Sequence, residues 1–367
     1  MKTLQILVFG LTCFLVACNS TSSLKTAQSP VRSYNATASV GDFLTISIDS
    51  TAQTITYKNY TNGETGTVSY TVNASGTYTI TDPEGNLLSA YEVPGSALMV
   101  EAANAGPNKD SQALITAIES APASIQTFAG QNFNYIQFRT STGGIELGTI
   151  SVDAQGGITH SGYWPFGVIS QGGMFNSGSF PASAVTEDSS GDFFTITETS
   201  GSDDYVFGTQ NGLFAVDTGS GTILGLPKAS TKSFDSATVG TYTAMFYEKP
   251  NAQMGQNNVE SGTPMEGTAT VTVGANGTVT IADSQNNTMA TGTLAAIADT
   301  SYIYDGTANE LPDPLHGMFT FRSTTSSSQQ DVFLTFQGNA VIFSSFETAL
   351  PLVQNNTYTY FYGVGLK

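Results

Sequence analysis

The chain has 367 residues, of which 11% are charged, and 29 Asp and Glu against 11 Lys and Arg give a formal net charge of −18 at pH 7. Binding to nucleic acid requires clustered Lys and Arg that displace counterions from phosphates, so this composition excludes a nucleic-acid partner. The same shortage of basic residues argues against electrostatic docking onto anionic lipid head groups. Thr, Ser, Gly, Asn and Tyr dominate instead, which is typical of β-structure with many turns.

The first 17 residues have the pattern of a signal peptide. Met1-Lys2 supplies one positive charge, and Thr3–Val16 is a mostly apolar stretch of the length of a signal h-region rather than of a membrane-spanning helix. The stretch ends in Leu15-Val16-Ala17-Cys18, which resembles the lipobox of bacterial lipoprotein precursors. This resemblance implies cleavage before Cys18, a diacylglycerol on its thiol and acylation of the new amine by chains such as palmitate. The alternative is an ordinary secretory signal that happens to contain a cysteine.

The resemblance also predicts a location and a tether. By analogy with enterobacterial sorting, Asn19-Ser20 after the lipidated cysteine favours the outer membrane of the bacterial cell envelope. Whether the protein faces the cell surface or the periplasm is left open. Residues 18–39 are predicted to form a flexible lipidated tether, because Ser20–Ser39 is polar and lacks hydrophobic periodicity. Since Cys13 leaves with the signal peptide, the mature chain keeps no thiol for a disulfide or a thiolate metal site.

An internal repeat organises the remainder of the chain. Residues 67–82 align without a gap to residues 268–283 and match at nine of sixteen positions, and a weaker third copy runs from residue 147 to residue 162. Each copy predicts a hairpin whose turn glycine, Gly76 in the first copy, adopts a left-handed conformation. Flanking strands repeat in the same order, so three β modules are predicted at residues 40–127, 128–236 and 237–367.

The predicted fold class is all-β. Each module has the pattern of about six to eight strands, which suits either a meander (calycin-like) β-barrel or a β-sandwich, and the sequence does not choose between them. The best helix candidate is Asp110–Ser120, although a strand is an equal alternative there. The C-terminal segment Thr357–Tyr362 resembles the strand that opens the third module, so it is predicted either to close that barrel or to enter the outer membrane as part of a transmembrane barrel.

One segment resembles a catalytic motif. Asp217-Thr218-Gly219 follows an apolar strand, as does the Asp-Thr-Gly loop of aspartic proteases. That chemistry needs two carboxylates sharing one proton, and the chain has a single copy, so catalysis by Asp217 would require a homodimer. The alternative interpretation is a turn built from good turn formers.

The strongest ligand-binding candidates lie in the middle module. His160 occupies the repeat position that holds Ile80 and Ile281 in the other copies, so it either places a polar group in the module interior or lies at a fraying strand end. Tyr163, Trp164 and Phe166 follow it and would either stack against a ligand or plug the barrel.

These observations support two hypotheses. The first is a non-enzymatic lipoprotein, anchored to the membrane through its acyl chains, which binds a glycan, a small molecule or a protein or has a structural role in the envelope. The second is a lipid-anchored hydrolase centred on Asp217 or on His160. No cofactor is predicted, and no metal site is predicted, because two histidines without a free cysteine cannot complete a typical zinc or copper site.

Overall fold

A computed structural model describes residues 29–74, 76–94, 96–105, 111–120, 124–139, 144–163, 175–197, 203–209, 212–253, 265–298, 302–304, 307–309, 314–324, 328–349 and 357–367. The predicted all-β class is confirmed. In these ranges the strands are joined by turns and by three short 3-10 helices at Ile125–Phe128, Ala182–Ala184 and Ser236–Thr238. No helix in the described ranges has the length and apolar character needed to cross a membrane.

The first module is a closed, eight-stranded antiparallel barrel. Consecutive strands pair with one another, and the last strand pairs back with the first, so this module is the meander barrel of the two architectures that the sequence left open. Its strands are β1 (Val31–Ala38), β2 (Phe43–Asp49), β3 (Thr54–Asn59), β4 (Thr65–Val72), β5 (Tyr78–Thr81), β6 (Leu87–Val93), β7 (Ala97–Ala105) and β8 (Ser111–Glu119).

In this module one sequence-based assignment needs correction, and one open alternative is decided in favour of a strand. Residues 31–38 were predicted as part of the tether, yet they form β1, with Tyr34 and Ala36 fully buried in the barrel. Their periodicity was hidden because small polar residues on the other face of the strand meet the second module. The Asp110–Ser120 helix candidate contains strand β8, which is buried on both faces and therefore lacks the alternation that identifies a strand.

The second module is a nine-stranded antiparallel sheet that curls around its own core. Its first strand lies between the second and the last, in the order β12-β11-β10-β9-β17-β16-β15-β14-β13. The strands are β9 (Asn132–Arg139), β10 (Gly144–Val152), β11 (Ile158–Tyr163), β12 (Phe175–Phe180), β13 (Val185–Glu187), β14 (Phe194–Thr197), β15 (Asp203–Gly208), β16 (Phe214–Asp217) and β17 (Gly221–Pro227).

The third module repeats this arrangement in the order β21-β20-β19-β18-β28-β27-β26-β25-β22, with a separate hairpin of β23 and β24. The C-terminal strand β28 pairs with both β18 and β27, so it completes the module's sheet, and its residues Phe361–Leu366 are buried there. The strands are β18 (Gly240–Gln253), β19 (Met265–Val273), β20 (Thr278–Asp283), β21 (Thr288–Thr293), β22 (Ala295–Ala296), β23 (Tyr302–Tyr304), β24 (Thr307–Asn309), β25 (Met318–Thr324), β26 (Ser328–Gln337), β27 (Ala340–Ala349) and β28 (Thr357–Leu366).

The repeated hairpin has the same register in all three modules. Its turn glycines all have positive φ, as expected for Gly76: 84° at Gly76, 90° at Gly156 and 77° at Gly277. The corresponding cross-strand pairs are Tyr70–Ile80, Ile150–His160 and Val271–Ile281. The sequence repeat is therefore also a structural repeat.

The modules also pack against one another through apolar outer faces. One continuous cluster of buried side chains takes residues from all three, in addition to a separate core inside each module. Phe43 of the first module stacks on Tyr205 of the second at a centroid distance of 4.4 Å, and Phe138 of the second stacks on Tyr362 of the third at 4.7 Å. The three modules are thus packed against one another rather than independent. The predicted module boundaries stay a prediction.

Candidate functional site

The interior of the second module contains a cavity of about 300 Å³. One part of its wall is apolar, because β14, β16 and β17 contribute side chains that include Ile196, Phe214 and Ile223. The other part is polar. Its polar lining side chains are Tyr135, Gln137, Glu146, His160, Asp204, Thr218 and Ser220.

Strand parity explains why these polar groups converge. Side chains two positions apart on a strand share a face, so Tyr135 and Gln137 of β9 point the same way as Phe133, which lies in the module core. On β10, Glu146 shares the inward face with Ile150. On β15, Asp204 shares it with the core residue Val206. Three strands that carry apolar inward residues near one end of the barrel therefore carry polar ones near the other.

Two glycines make room for a buried polar pair. The Tyr135 hydroxyl donates a 2.5 Å hydrogen bond to Glu146 Oε1, and both side chains are almost completely buried. Gly148 and Gly162 lie opposite each other on β10 and β11. A Cβ at Gly162 would lie 2.2 Å from the Tyr135 hydroxyl oxygen and 2.4 Å from Glu146 Oε1, so no larger residue fits there without moving the pair.

His160 lines this cavity. It pairs with Ile150 on one side and with Gly178 on the other, and its ring stacks on Phe180 at a centroid distance of 6.2 Å. A Cβ at Gly178 would lie 2.4 Å from His160 Cε1, so the glycine leaves space for the imidazole. The histidine lies within a paired strand, which favours the interior interpretation over a frayed end.

The other predicted ligand-binding residues are placed only in part. Tyr163 is the last residue of β11 and pairs with Leu147 and Phe175, and its side chain is not described. Trp164 and Phe166 lie outside the described residues, as does Cys18. Of the predicted set, the structure therefore places the His160 side chain at the cavity.

Asp217 does not form a catalytic site. It ends β16, where it is 1% exposed and faces the first module. Its carboxylate accepts hydrogen bonds from the Thr37 hydroxyl at 2.8 Å and from the Gly219 backbone N–H at 3.1 Å. Burial raises the pKa of Asp217 to about 7 against the lowering effect of those bonds. The aspartic-protease interpretation fails because this carboxylate is enclosed between two modules, where a peptide substrate has no access, while the predicted turn is present and Gly219 has a φ of 65°.

Sequence reasoning missed Gln137, Glu146 and Asp204. A partial signal was available, because Asp204 lies two residues from Val206 and Gln137 two from Tyr135, whereas both positions two residues from Glu146 hold glycine. A carboxylate on a strand is ordinarily taken as solvent-facing. Only the pairing of Gly148 with Gly162 shows that there is room inside the module for the Glu146 side chain. Among the described residues, no group of three or more His, Cys, Asp or Glu is arranged to hold a metal ion.

Comparisons with known proteins leave the function to be argued from this geometry. No protein-family model matches the sequence, and no curated protein matches it. A double mutant of Transferrin Binding Protein B from Haemophilus parasuis Hp5 is 8% identical over 92% of this chain and 76% of that chain, with a TM-score of 0.24. A DUF3598-family protein of unknown function from Nostoc punctiforme is 7% identical over 67% of this chain and 100% of that one, also at 0.24, and CghA is 12% identical over 92% and 87%, at 0.17. TM-scores this low carry no argument about shared function.

Proposed function

We propose that this protein is a non-enzymatic lipoprotein of the bacterial outer membrane that binds a small polar ligand in the cavity of its second module. Acyl chains on Cys18 attach the protein to the membrane, and residues 19–30 link that anchor to β1. The observation that carries the binding role is the cavity of about 300 Å³ with one polar and one apolar wall.

The size and lining of the cavity define the class of ligand. Ligand sites are typically apolar concave spaces of about 300–1,000 Å³ with a few converging polar groups, so this cavity suits a small molecule. Glu146 and Asp204 supply carboxylate oxygens, which accept hydrogen bonds when ionised, so the ligand has to donate them. Hydroxyl and ammonium groups meet that requirement.

The apolar wall completes the assignment. Phe180 and Phe214 present aromatic surface on which the C–H face of a sugar ring can pack, while Gln137 offers both a donor and an acceptor. We therefore assign the site to a molecule of monosaccharide size that carries hydroxyl groups and, optionally, an amine. This choice favours a small glycan unit over a protein ligand, because a cavity of about 300 Å³ holds a group of monosaccharide size and no larger surface.

Calorimetric titration with glucosamine, with glucose and methylamine as partial ligands, tests this assignment. Asp204→Asn should weaken glucosamine binding by at least tenfold, since one charged hydrogen bond at a buried site is worth about 1.5–3 kcal/mol. Asp203→Asn is the matched control, because Asp203 is the next residue on the same strand and is exposed. Equal affinities in the two variants, or no binding of any of the three probes by the wild-type protein, would contradict the proposed site.

The anchor is tested separately by cell fractionation. Wild-type protein should sediment with the outer membrane, because two or three acyl chains buried in the bilayer hold a protein firmly. Cys18→Ala cannot be acylated, so it should appear in the soluble fraction and lack the mass of the acyl chains. Cys18→Ser provides a second thiol-free variant of nearly unchanged size. If both variants stayed in the membrane fraction, a different attachment would have to be sought.

A further inference from the structure

The first module has two chemically different ends. At one end, the Arg32 guanidinium forms a two-point ion pair with Glu92, with nitrogen–oxygen distances of 2.6 and 2.7 Å. The hydroxyls of Tyr34 and Tyr78 also donate hydrogen bonds to this carboxylate, and Tyr70 stacks on Tyr78 at a centroid distance of 4.6 Å. Burial of Glu92 opposes its ionisation, but the hydrogen bonds from its partners bring its pKa below the ordinary value. This cluster closes the barrel at that end.

A second cavity, of about 200 Å³, occupies the opposite half of the barrel. Inward side chains of five strands contribute to its apolar wall: Leu44, Ile46, Ile80, Leu88, Val100 and Ile115. The Arg32–Glu92 cluster occupies the far end, so among the described residues the cavity is approached past the ends of the strands near Asp42 and Ala102.

The mouth of this cavity is acidic. Its lining includes five carboxylates, Asp42, Glu64, Asp82, Glu84 and Glu101, and none of its described lining residues is Lys or Arg. Burial raises the pKa of Glu101, whose carboxylate accepts a hydrogen bond of 2.6 Å from the Ser89 backbone N–H. Carboxylates around the opening of an apolar cavity favour a cationic ligand over an anionic one.

We propose that the first barrel is a second binding site, which takes a short apolar chain ending in a cationic group, of the alkylammonium class. The chain lies against the aliphatic wall and the ammonium group lies among the carboxylates of the mouth. Burial of the chain provides the affinity, at about 25 cal/mol per Å² of apolar surface removed from water, and the charge selects cations over anions. This site is independent of the second-module cavity in position and in chemistry.

Titration of the whole protein with octylammonium, octanol and octanoate tests the proposal, with all three probes kept below their aggregation concentrations. Octylammonium should bind at least tenfold more tightly than octanoate, with octanol between them. Glu101→Gln combined with Glu84→Gln should reduce octylammonium affinity by about tenfold and leave octanol unchanged. Equal binding of octylammonium and octanoate, or no binding of octylammonium, would overturn the proposal.

A cavity-filling variant locates the binding. Leu88→Phe should lower the affinity for octanol and octylammonium alike, and Ala102→Leu gives a second way to narrow the cavity should Leu88→Phe fail to fold, as judged by its circular dichroism and melting curve. Asp204→Asn should leave octylammonium binding unchanged, and the two glutamine substitutions should leave glucosamine binding unchanged. Loss of one activity without the other therefore separates failure of this proposal from failure of the second-module site. Octylammonium binding that persists in both narrowed variants would exclude this cavity.

Discussion

The second and third modules share one architecture and differ in what fills it. Each is a nine-stranded sheet whose first strand lies between its second and its last, and the repeated hairpin has the same register in both. Inside the third module, Ile281 and Val271 face each other in a core without solvent exposure. At the same positions the second module has His160 and Ile150, and Gly162 follows His160 on the same face of the strand. At these inward positions the shared fold therefore carries apolar core residues in the third module and, in the second, a histidine that lines a cavity.

The difference has an energetic side. Apolar side chains that fill a module interior stabilise it by about 25 cal/mol per Å² of surface buried, whereas polar side chains around a cavity give up part of that gain. The shared core between modules compensates for this, because the outer faces of the second module are buried against both neighbours. A cavity is thus tolerated in a module that is supported from outside.

The largest expected effect comes from exchanging the two residues that define the contrast. Ile281→His should lower the free energy of unfolding by roughly 2–5 kcal/mol, because it removes apolar burial and places an imidazole in a core of apolar side chains. His160→Ile should change it by about 1 kcal/mol or less, since the cavity already accommodates a side chain of that length. Urea unfolding followed by tyrosine fluorescence measures both. Similar losses in the two variants would show that the interiors are equally well packed.

A second prediction concerns a polar group that is buried between modules rather than at the cavity. Burial raises the pKa of Asp217 to about 7, above its value in the unfolded chain, so the folded state binds this proton more tightly. Stability from this group is therefore fully present below about pH 4 and is lost as pH rises toward and through 7. Between pH 5 and pH 8 the loss amounts to roughly 2 kcal/mol, because one pKa unit corresponds to about 1.4 kcal/mol.

Asp217→Asn should remove that part of the pH dependence. The amide oxygen can accept the hydrogen bond from the Gly219 N–H and the amide nitrogen can donate one to the Thr37 hydroxyl, so the variant should be at least as stable as the wild type at pH 8 and should lose its relative advantage at pH 5. Urea unfolding of both proteins at the two pH values gives the difference between their free energies of unfolding. Contributions from the other titrating groups cancel in this difference. Parallel pH profiles would mean that Asp217 is ionised in the folded protein across this range.

Much of the fold could be predicted from the sequence because its signals are local. Period-two alternation and the turn glycine at Gly76 define the hairpins, and the repeat of residues 67–82 at 268–283 indicates equivalent modules. The assignments that failed or stayed open depend on contacts between distant parts of the chain. Residues 34–38 of β1 and residues 113–118 of β8 are buried on both faces because another module covers the outer one, and a single strand carries no mark of that partner.

The candidate site could be predicted only in part for a related reason. His160 stood out because the repeat supplied two copies with isoleucine for comparison. No such comparison marked Glu146, whose burial depends on the small size of Gly148 and Gly162 on β10 and β11. The Arg32–Glu92 pair joins residues sixty positions apart and was invisible to local patterns. Space inside a barrel results from several strands together, so single positions do not reveal it.

The smallest expected effect concerns the outward faces, where the two modules should not differ. In the second module the Ser151 hydroxyl donates a 2.6 Å hydrogen bond to Asn132, and in the third the hydroxyls of Thr280 and Thr291 lie 3.2 Å apart, both on exposed surface. Cross-strand pairs of this kind contribute about 0.2–1 kcal/mol, because water replaces much of each bond when it is lost. Ser151→Ala and Thr280→Ala should each lower the free energy of unfolding by about 0.5 kcal/mol in urea unfolding. A loss above about 2 kcal/mol in one module alone would show that the outer surfaces of the two modules also differ in stability. The contrast between their interiors would then not be sufficient to explain how the two modules differ.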